Sequence, residues 1–174
     1  MNRRPSFRTL RRPRFRRGVA TVEFSILIVP LLLLLFGVTE YGRAIYQYNT
    51  LTKSVRDATR YLSAVAPGSG HSVARCLAVY GTTNCSGSPL APGLTTGMVT
   101  ICDASIPSCQ ATHLSQQTGH GTINLVTVTI NDPGLPDNQK FQFDSLFDFS
   151  LFGFNFGAPN IIYDPIRNTM RQAS

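Results

Sequence analysis

The sequence predicts an α+β protein in which a long N-terminal transmembrane helix continues as an amphipathic helix and packs on a small antiparallel β-sheet domain with disulfide-closed loops. Three observations support this fold class. An apolar run, residues 19–38, follows an arginine-rich start. Apolar side chains then recur at three- and four-residue spacing as far as residue 65, which is typical of an amphipathic helix. From residue 67 onward, Gly, Ser, Thr and Pro surround short alternating segments, which are typical of strands.

Positive charge is concentrated at the N-terminus. Residues 1–17 hold eight Arg and no acid, whereas residues 18–174 hold eight basic and nine acidic side chains. The net charge of +7 and the pI near 9.7 therefore describe a tail rather than a domain. A folded nucleic-acid-binding domain would carry its positive charge on one face. We therefore expect no nucleic-acid partner, although an Arg-rich tail alone could still contact one.

Residues 19–38 are long enough to form a transmembrane helix. At 1.5 Å per residue they make about 30 Å, the thickness of the hydrocarbon core of a bilayer. A cleaved secretory signal is the alternative, but its apolar region usually has about 7–15 residues and ends in small residues. This run instead ends in Phe36-Gly-Val-Thr-Glu-Tyr41. The positive-inside rule places the arginine tail in the cytoplasm and everything after Val38 outside.

One acidic residue interrupts the apolar run. Glu23 lies four residues after Val19, and an acid at the centre of a membrane helix costs on the order of 2–3 kcal/mol. In one interpretation the carboxylate reaches the headgroups and pairs with Arg16 or Arg17. In the other, the acid marks a specific interaction inside the membrane.

The order of these features carries a resemblance to a known family. Residues 16–24 read Arg-Arg-Gly-Val-Ala-Thr-Val-Glu-Phe and precede an apolar helix with an internal Pro30. The helix exits through Phe36-Gly-Val-Thr-Glu40 toward an Arg-rich segment that reaches Arg60. This order resembles the type III signal sequence of type IV pilins and pseudopilins, and is most similar to the TadE-like family of the tight-adherence (Flp) pilus system. The resemblance covers about a quarter of the chain, from Arg16 to Arg60.

The resemblance implies that a prepilin peptidase cuts the bond after Gly18, making Val19 the new N-terminus. It also implies that Glu23 pairs in the membrane with the terminal amine of a neighbouring subunit. The implied recognition and cleavage residues are Arg16, Arg17, Gly18, Val19, Glu23 and Phe24.

The same resemblance implies a non-catalytic, pseudopilin-like component of pilus assembly in the inner (cytoplasmic) membrane. The chain would cross the membrane once, with its N-terminus cytoplasmic and its outer domain periplasmic. Its partners would be the lipid bilayer, the prepilin peptidase and other pilus-system subunits. A resident assembly protein outside the fibre, or an unprocessed single-span anchor, stays open as an alternative.

The organisation that follows is a basic leader (1–18), a transmembrane helix (19–38), its amphipathic continuation (39–66) and a β-rich outer domain (67–174). The apolar stripe of the second segment comprises Tyr41, Ala44, Ile45, Tyr48, Leu51, Val55, Ala58, Leu62 and Val65. We favour packing against the protein's own sheet over an intersubunit coiled coil, because the stripe runs for about three heptads. The segment Pro67-Gly-Ser-Gly70 is expected to end the helix.

Strands rather than helices are predicted from Gly68 onward. Residues 122–131 and 98–102 alternate as strands do, and the Pro- and Gly-containing residues 131–138 form a loop. In the phenylalanine-rich residues 141–156 the alternation changes phase, so we expect a short helix or bulge around Asp144–Leu151 between two strands.

The four cysteines are Cys76, Cys85, Cys102 and Cys109. Outside the cytoplasm they are expected to be oxidised, and neighbouring pairing would close two small loops, although four cysteines allow three pairings. A zinc site is the alternative, but eight and six intervening residues are wide for a zinc ligand pair.

No catalytic constellation is evident. His71, His113 and His120 lie in Gly-, Ser- and Thr-rich stretches without a nearby acid, and are predicted to be surface-loop residues. Asp144 and Asp148 stand among phenylalanines, where a cap and a solvent-facing acid explain them as well as a carboxylate pair would. We expect no enzyme activity, cofactor or metal. The alternative is a membrane-tethered binding protein or enzyme with a pocket formed by residues 67–174.

Overall fold

Helix α1, Arg17–Ser63, is the longest element and contains Pro30 within its length. The computed structural model describes residues 17–146, 150–151, 154–155 and 161–173. The chain divides into two units, Met1–Val38 and Thr39–Ser174. Helix α1 begins in the first unit and ends in the second.

The second unit contains the end of α1, two further α-helices and eight strands among the described residues. The helices are α2 (His71–Tyr80) and α3 (Gln110–His113). The strands are β1 (Val99–Asp103), β2 (Gln116–Thr118), β3 (Gly121–Ile130), β4 (Gln142–Phe143), β5 (Ser150–Leu151), β6 (Phe154–Asn155), β7 (Ile161–Ile162) and β8 (Ile166–Gln172). The α+β prediction is therefore confirmed.

Strand β3 organises an antiparallel sheet. It pairs with β1 in the register Val99 to Ile130, with β8 in the register Ile166 to Ile130, and with β2 through a tight hairpin. Val126, Val128 and Ile130 are fully buried on one face, as the alternation predicts. The two predicted strands are confirmed with shifts of one residue. Separate pairs form between β4 and β7 and between β5 and β6.

The core lies between the end of α1, helix α2 and the sheet. Leu51, Val55, Ala58 and Leu62 of α1 form one buried cluster with side chains of α2, β1, β3 and β8. Packing against the protein's own sheet is therefore confirmed for this half of the predicted stripe. The prediction is wrong for Tyr41 and Ile45, which are exposed.

The prediction that the chain forms strands and no helix from Gly68 onward is wrong, because α2 lies in this region. Gly70 and Gly81 flank this helix in left-handed conformations, and Ala74, Ala78 and Val79 are buried in the core. Ala74, Leu77 and Ala78 recur at helical spacing, which was the available signal. The Gly- and Ser-rich composition on either side obscured it.

The phenylalanine-rich segment lies only partly within the described residues. Strand β4 and the β5–β6 pair are present, but the predicted helix or bulge around Asp144–Leu151 includes residues 147–149, and Asp148 among them, which are outside the described ranges.

Candidate functional site

The part of α1 within the first unit is apolar and open. The helix from Gly18 onward is long and apolar enough to cross a membrane. Its most apolar stretch is not buried by any other part of the described chain. Val19, Phe24 and Leu31 are all more than half exposed. Such a surface is unfavourable in water and matches the interior of a bilayer.

Glu23 projects from this apolar surface. Its side chain is exposed, and no hydrogen bond or ion pair to it is found among the described residues. Ser25, two positions on, differs because its Oγ donates to the carbonyl of Thr21 at 2.8 Å. Glu23 is thus an acidic group without a partner among the described residues, about 6 Å along the helix from Val19.

The other predicted recognition residues lie at the start of α1. Arg17 is the first residue of the helix, whereas Arg16 lies outside the described residues. A Cβ built on Gly18 meets no atom within 4 Å, so the backbone there is open on its side-chain face. The roles assigned to Arg16, Arg17, Gly18, Val19, Glu23 and Phe24 stay predictions.

A polar cluster lies at the start of the second unit. Glu40 Oε1 accepts a hydrogen bond from Arg43 Nη1 at 3.0 Å and another from the backbone N–H of Leu146 at 3.3 Å. Arg43 Nη2 also donates to the carbonyl of Asp144 at 2.8 Å, and its guanidinium lies 4.9 Å from the ring centroid of Phe143. Residues 143–146 are therefore held against the turn of α1 formed by residues 40–43.

Tyr163 extends this cluster. Its hydroxyl donates to the carbonyl of Ala44 at 2.9 Å, and its ring stacks on Phe141 with centroids 5.8 Å apart. Burial raises the pKa of Tyr163, and the positive charge of Arg43 opposes this only in part. The phenol therefore stays neutral and acts as a hydrogen-bond donor.

A second cluster centres on Asp103, which is fully buried. Asp103 Oδ2 accepts from the backbone N–H of Gly68 at 2.8 Å and lies 2.7 Å from His71 Nε2. Oδ1 accepts from Ser105 Oγ at 2.6 Å and from the Ser105 N–H at 3.0 Å. Burial alone would raise the pKa of Asp103, but these four contacts outweigh it and hold the pKa well below its usual range.

The structure corrects the prediction for two of the three histidines. His71 is in the first turn of α2 beside a buried acid, not in a surface loop without one. His113 ends α3, and its Nε2 lies 2.8 Å from Thr127 Oγ1. His120 is exposed in the turn between β2 and β3, as predicted. Nothing in the sequence indicated the contact between His71 and Asp103, because the two residues are 32 positions apart.

The Asp103 cluster does not have the geometry of a hydrolytic triad. Ser105 donates to the carboxylate rather than to His71, so the imidazole is not placed to remove the serine proton. The described residues include no group of three or more His, Cys, Asp or Glu that could hold a metal ion. The arrangement can connect three chain segments, but it offers no activated nucleophile.

The cysteines form two disulfides, Cys76–Cys85 and Cys102–Cys109. Disulfide-closed loops are therefore confirmed, in the neighbouring pairing favoured above over zinc. Cys102 lies beside Asp103 in β1, so the second disulfide closes the loop that contains Ser105.

A groove of about 220 Å³ lies between α1 and α2 in the second unit, lined by Thr50, Lys53, Ser54, Asp57, Leu77, Gly81 and Leu90. Ligand pockets usually enclose about 300–1,000 Å³. Lys53 and Asp57 are exposed and the opposite wall is apolar. The groove therefore lacks the convergent buried polar groups of an active site.

These features define a class: a helix that could span a membrane, joined to a disulfide-containing α+β domain. The family model described as TadE-like protein matches residues 18–60 of the chain. The match confirms the resemblance to the TadE-like family over this segment, and that family implies a role in the tight-adherence (Tad) pilus system. No curated protein and no solved structure matches the chain.

Proposed function

We propose that the protein is a membrane-anchored, pseudopilin-like component of Flp/tight-adherence pilus biogenesis, acting by helix-mediated assembly rather than by catalysis. A prepilin peptidase removes the leader, residues 1–18. Residues 19–38 then span the inner membrane once, residues 39–66 continue the helix, and residues 67–174 form the periplasmic domain. The partners are the bilayer, the peptidase and other pilin-like subunits.

The observation that carries this proposal is the open apolar helix in which Glu23 has no partner among the residues that the structure describes, inside the segment that matches the TadE-like model. An acid in hydrocarbon needs a partner. Cleavage after Gly18 creates a cationic α-amino group on each subunit. The Glu23 carboxylate of a neighbouring subunit can form an ion pair with this group. The charge of each group is then neutralised inside the assembly, and the pairing sets the axial register.

Cleavage is tested by intact-mass measurement of the membrane-extracted protein with and without a prepilin peptidase. We expect loss of residues 1–18 from the 19.1 kDa chain, with Val19 as the first residue. A Gly18→Val variant should stay uncleaved. Gly37→Val is the matched control, because both glycines have open space at the Cβ position, and it should be cleaved normally. An unchanged wild-type mass in the presence of peptidase would contradict processing.

The pairing role is tested with Glu23→Leu in a strain that supplies the other pilus subunits. Removing an acid lowers the cost of membrane insertion, so lost assembly could not be blamed on failed anchoring. We expect the variant to remain in the membrane while pilus output is lost. Ser25→Leu is the control, since the Ser25 hydroxyl is already satisfied within the helix, and should preserve output. Normal pili from Glu23→Leu would exclude the pairing.

A further inference from the structure

The two disulfides of the second unit differ in how far their residues are exposed. Cys85 is exposed, whereas its partner Cys76 is only 8 % exposed. In the other disulfide Cys109 is 6 % exposed and Cys102 is half-buried. An external thiolate must reach one of the two sulfurs before it can exchange with a disulfide, so exposed disulfides are the more labile ones. Access therefore favours reduction of the disulfide that contains Cys85.

Cys85 also has an unfavourable backbone conformation. Its φ is +54°, in the left-handed region where a Cβ approaches the backbone too closely. Gly81 and Gly87, in the same segment, also have positive φ, but they have no Cβ. The disulfide thus holds a residue with a side chain in a conformation that favours glycine. Breaking the bond allows Cys85 to leave that conformation.

The segment around Cys85, residues 81–90, makes few contacts with the rest of the domain. We refer to it as the Cys85 loop. Its interior is exposed apart from Thr82, which is half-buried. Among the residues that the structure describes, the hydrogen bonds of this interior lie within the loop. Thr82 Oγ1 donates to the carbonyl of Ser86 at 3.0 Å, and Ser86 Oγ donates to Asn84 Oδ1 at 2.7 Å.

Both ends of the Cys85 loop are fixed by backbone hydrogen bonds. The N–H of Gly81 donates to the carbonyl of Leu77 at 3.0 Å, and the N–H of Leu90 donates to the carbonyl of Val79 at 2.8 Å. Between these ends the disulfide to Cys76 ties the loop to α2. Reduction of this disulfide would therefore free the interior of the loop and leave its ends in place.

The second disulfide is part of hydrogen-bonded structure. Cys102 of β1 pairs with Thr127 of β3. The N–H of Cys109 donates to the carbonyl of Ile106 at 2.9 Å, and the carbonyl of Cys109 accepts from the N–H of His113 at 3.0 Å. A thiolate reaches these sulfurs only if β1 or α3 opens, so the folded domain protects this disulfide.

We propose that Cys76–Cys85 is a redox-sensitive disulfide that an external dithiol reduces in the folded protein by attack at Cys85, whereas Cys102–Cys109 is structural. Reduction releases the Cys85 loop while the sheet stays intact. The proposal concerns Thr39–Ser174 alone and does not depend on membrane insertion of the apolar run.

The exchange takes place in two steps. A thiolate of the dithiol attacks Cys85 Sγ, the bond between the two chain sulfurs breaks, and Cys76 leaves as a thiolate that takes up a proton. The second thiolate of the dithiol then attacks the mixed disulfide and releases Cys85, which also takes up a proton. The dithiol is oxidised to a disulfide, and its two protons end on the two cysteines.

The difference between the two disulfides is tested with the oxidised full-length protein, purified in detergent and exposed to dithiothreitol at neutral pH. Samples taken over time are quenched with acid, unfolded and alkylated, and the alkylated cysteines are located by peptide mass spectrometry. We expect Cys76 and Cys85 to be reduced at least about ten times faster than Cys102 and Cys109. Equal rates, or faster reduction of Cys102–Cys109, would overturn the proposal.

The point of attack is tested with Asn84→Asp, which places a negative charge beside Cys85 and keeps the oxygen that accepts from Ser86. Because the attacking thiolate is an anion, this variant should slow reduction of the exposed disulfide several-fold at low ionic strength. Ser108→Asp is the matched control, because it adds the same charge at an exposed position beside Cys109, and it should leave that rate unchanged. An unchanged rate in Asn84→Asp would show that the thiolate does not attack Cys85.

Release of the Cys85 loop is tested on the partly reduced, alkylated protein in which Cys102–Cys109 is intact. Proteinase K should cut within residues 81–90 faster than in the oxidised protein, because a freed loop adapts more readily to a protease. Hydrogen exchange of the β3 amides should stay as slow as in the oxidised protein. Unchanged cutting would contradict release of the loop, and faster exchange in β3 would show that the disulfide supports the core instead.

Discussion

At the residue scale, Asp103 shows how one buried charge connects segments that are distant in the chain. Its carboxylate joins Gly68 after α1, His71 at the start of α2, and Ser105 after β1. A buried carboxylate is tolerated only where donors replace the lost water. Because the donors stabilise the charged form, the ionised carboxylate contributes to the stability of the fold.

We expect Asp103→Asn to lower the free energy of unfolding at neutral pH by about 1–3 kcal/mol, because its amide N–H₂ would face donors rather than acceptors. The folded pKa is below the unfolded value of about 3.9. The contribution of Asp103 is therefore fully present above that value and is lost as the pH falls below it. Urea unfolding of the wild type and of this variant at neutral and acidic pH measures both effects.

The control for Asp103 is Asp57→Asn, at an exposed position of α1. It should change the free energy of unfolding by less than about 0.5 kcal/mol. If Asp103→Asn retained the acid-dependent loss of the wild type in full, that loss would have to come from other carboxylates.

At the element scale, the link between α1 and α2 depends on Gly70. Its φ is +72°, and a Cβ there would lie 2.8 Å from Cε1 of Tyr61. We expect Gly70→Ala to lower the free energy of unfolding by about 1–2 kcal/mol through the left-handed backbone conformation alone. The clash between the new Cβ and the Tyr61 ring should lower it further. Gly93→Ala isolates the backbone effect, since Gly93 has φ +81° and no atom within 4 Å of its Cβ position. Equal melting temperatures for the two variants would show that the Tyr61 contact is unimportant.

The elements that could be predicted from sequence are those with local patterns. The alternation of Val126, Val128 and Ile130 predicted β3, and the spacing of Leu51, Val55, Ala58 and Leu62 predicted the buried face of α1. Strand β8 was not predicted, because its inward-facing positions include Asn168 and Gln172. Gln172 is buried with its Nε2 3.4 Å from the carbonyl of Leu62, where α1 is ending and its carbonyls lack helical partners. The hydrogen bond between Gln172 and the end of α1 becomes evident only in the folded chain.

The same distinction applies to the candidate sites. Glu23 stood out in the sequence because an acid in an apolar run is a local anomaly, and the cysteines because their chemistry is specific. The Asp103 and Glu40 clusters depend on contacts between residues 32 to 119 positions apart. Neither acid differs from a solvent-facing one by its neighbours in the chain, so no local pattern indicated that either side chain is buried.

At the scale of the whole molecule, charge and core are separated along the chain. Residues 1–17 carry +8 and the remaining residues carry −1. Every core residue that the structure describes, and both disulfides, lie within Thr39–Ser174. Removing the leader would therefore remove its +8 and none of the core side chains that the structure describes. The described core residues that stabilise the fold and the apolar run that could span a membrane thus lie in different parts of the chain.

This separation predicts that a fragment of residues 39–174 folds without the apolar run. We expect cooperative thermal unfolding of the oxidised fragment, followed by circular dichroism. Each disulfide closes a short loop and should contribute about 2–3 kcal/mol by restricting the unfolded chain. Reduction should therefore lower the melting temperature strongly. A fragment with all four cysteines changed to Ser should melt at the same temperature as the reduced fragment, with or without reductant. Non-cooperative unfolding of the oxidised fragment would show that residues before Thr39 are needed for the core to form.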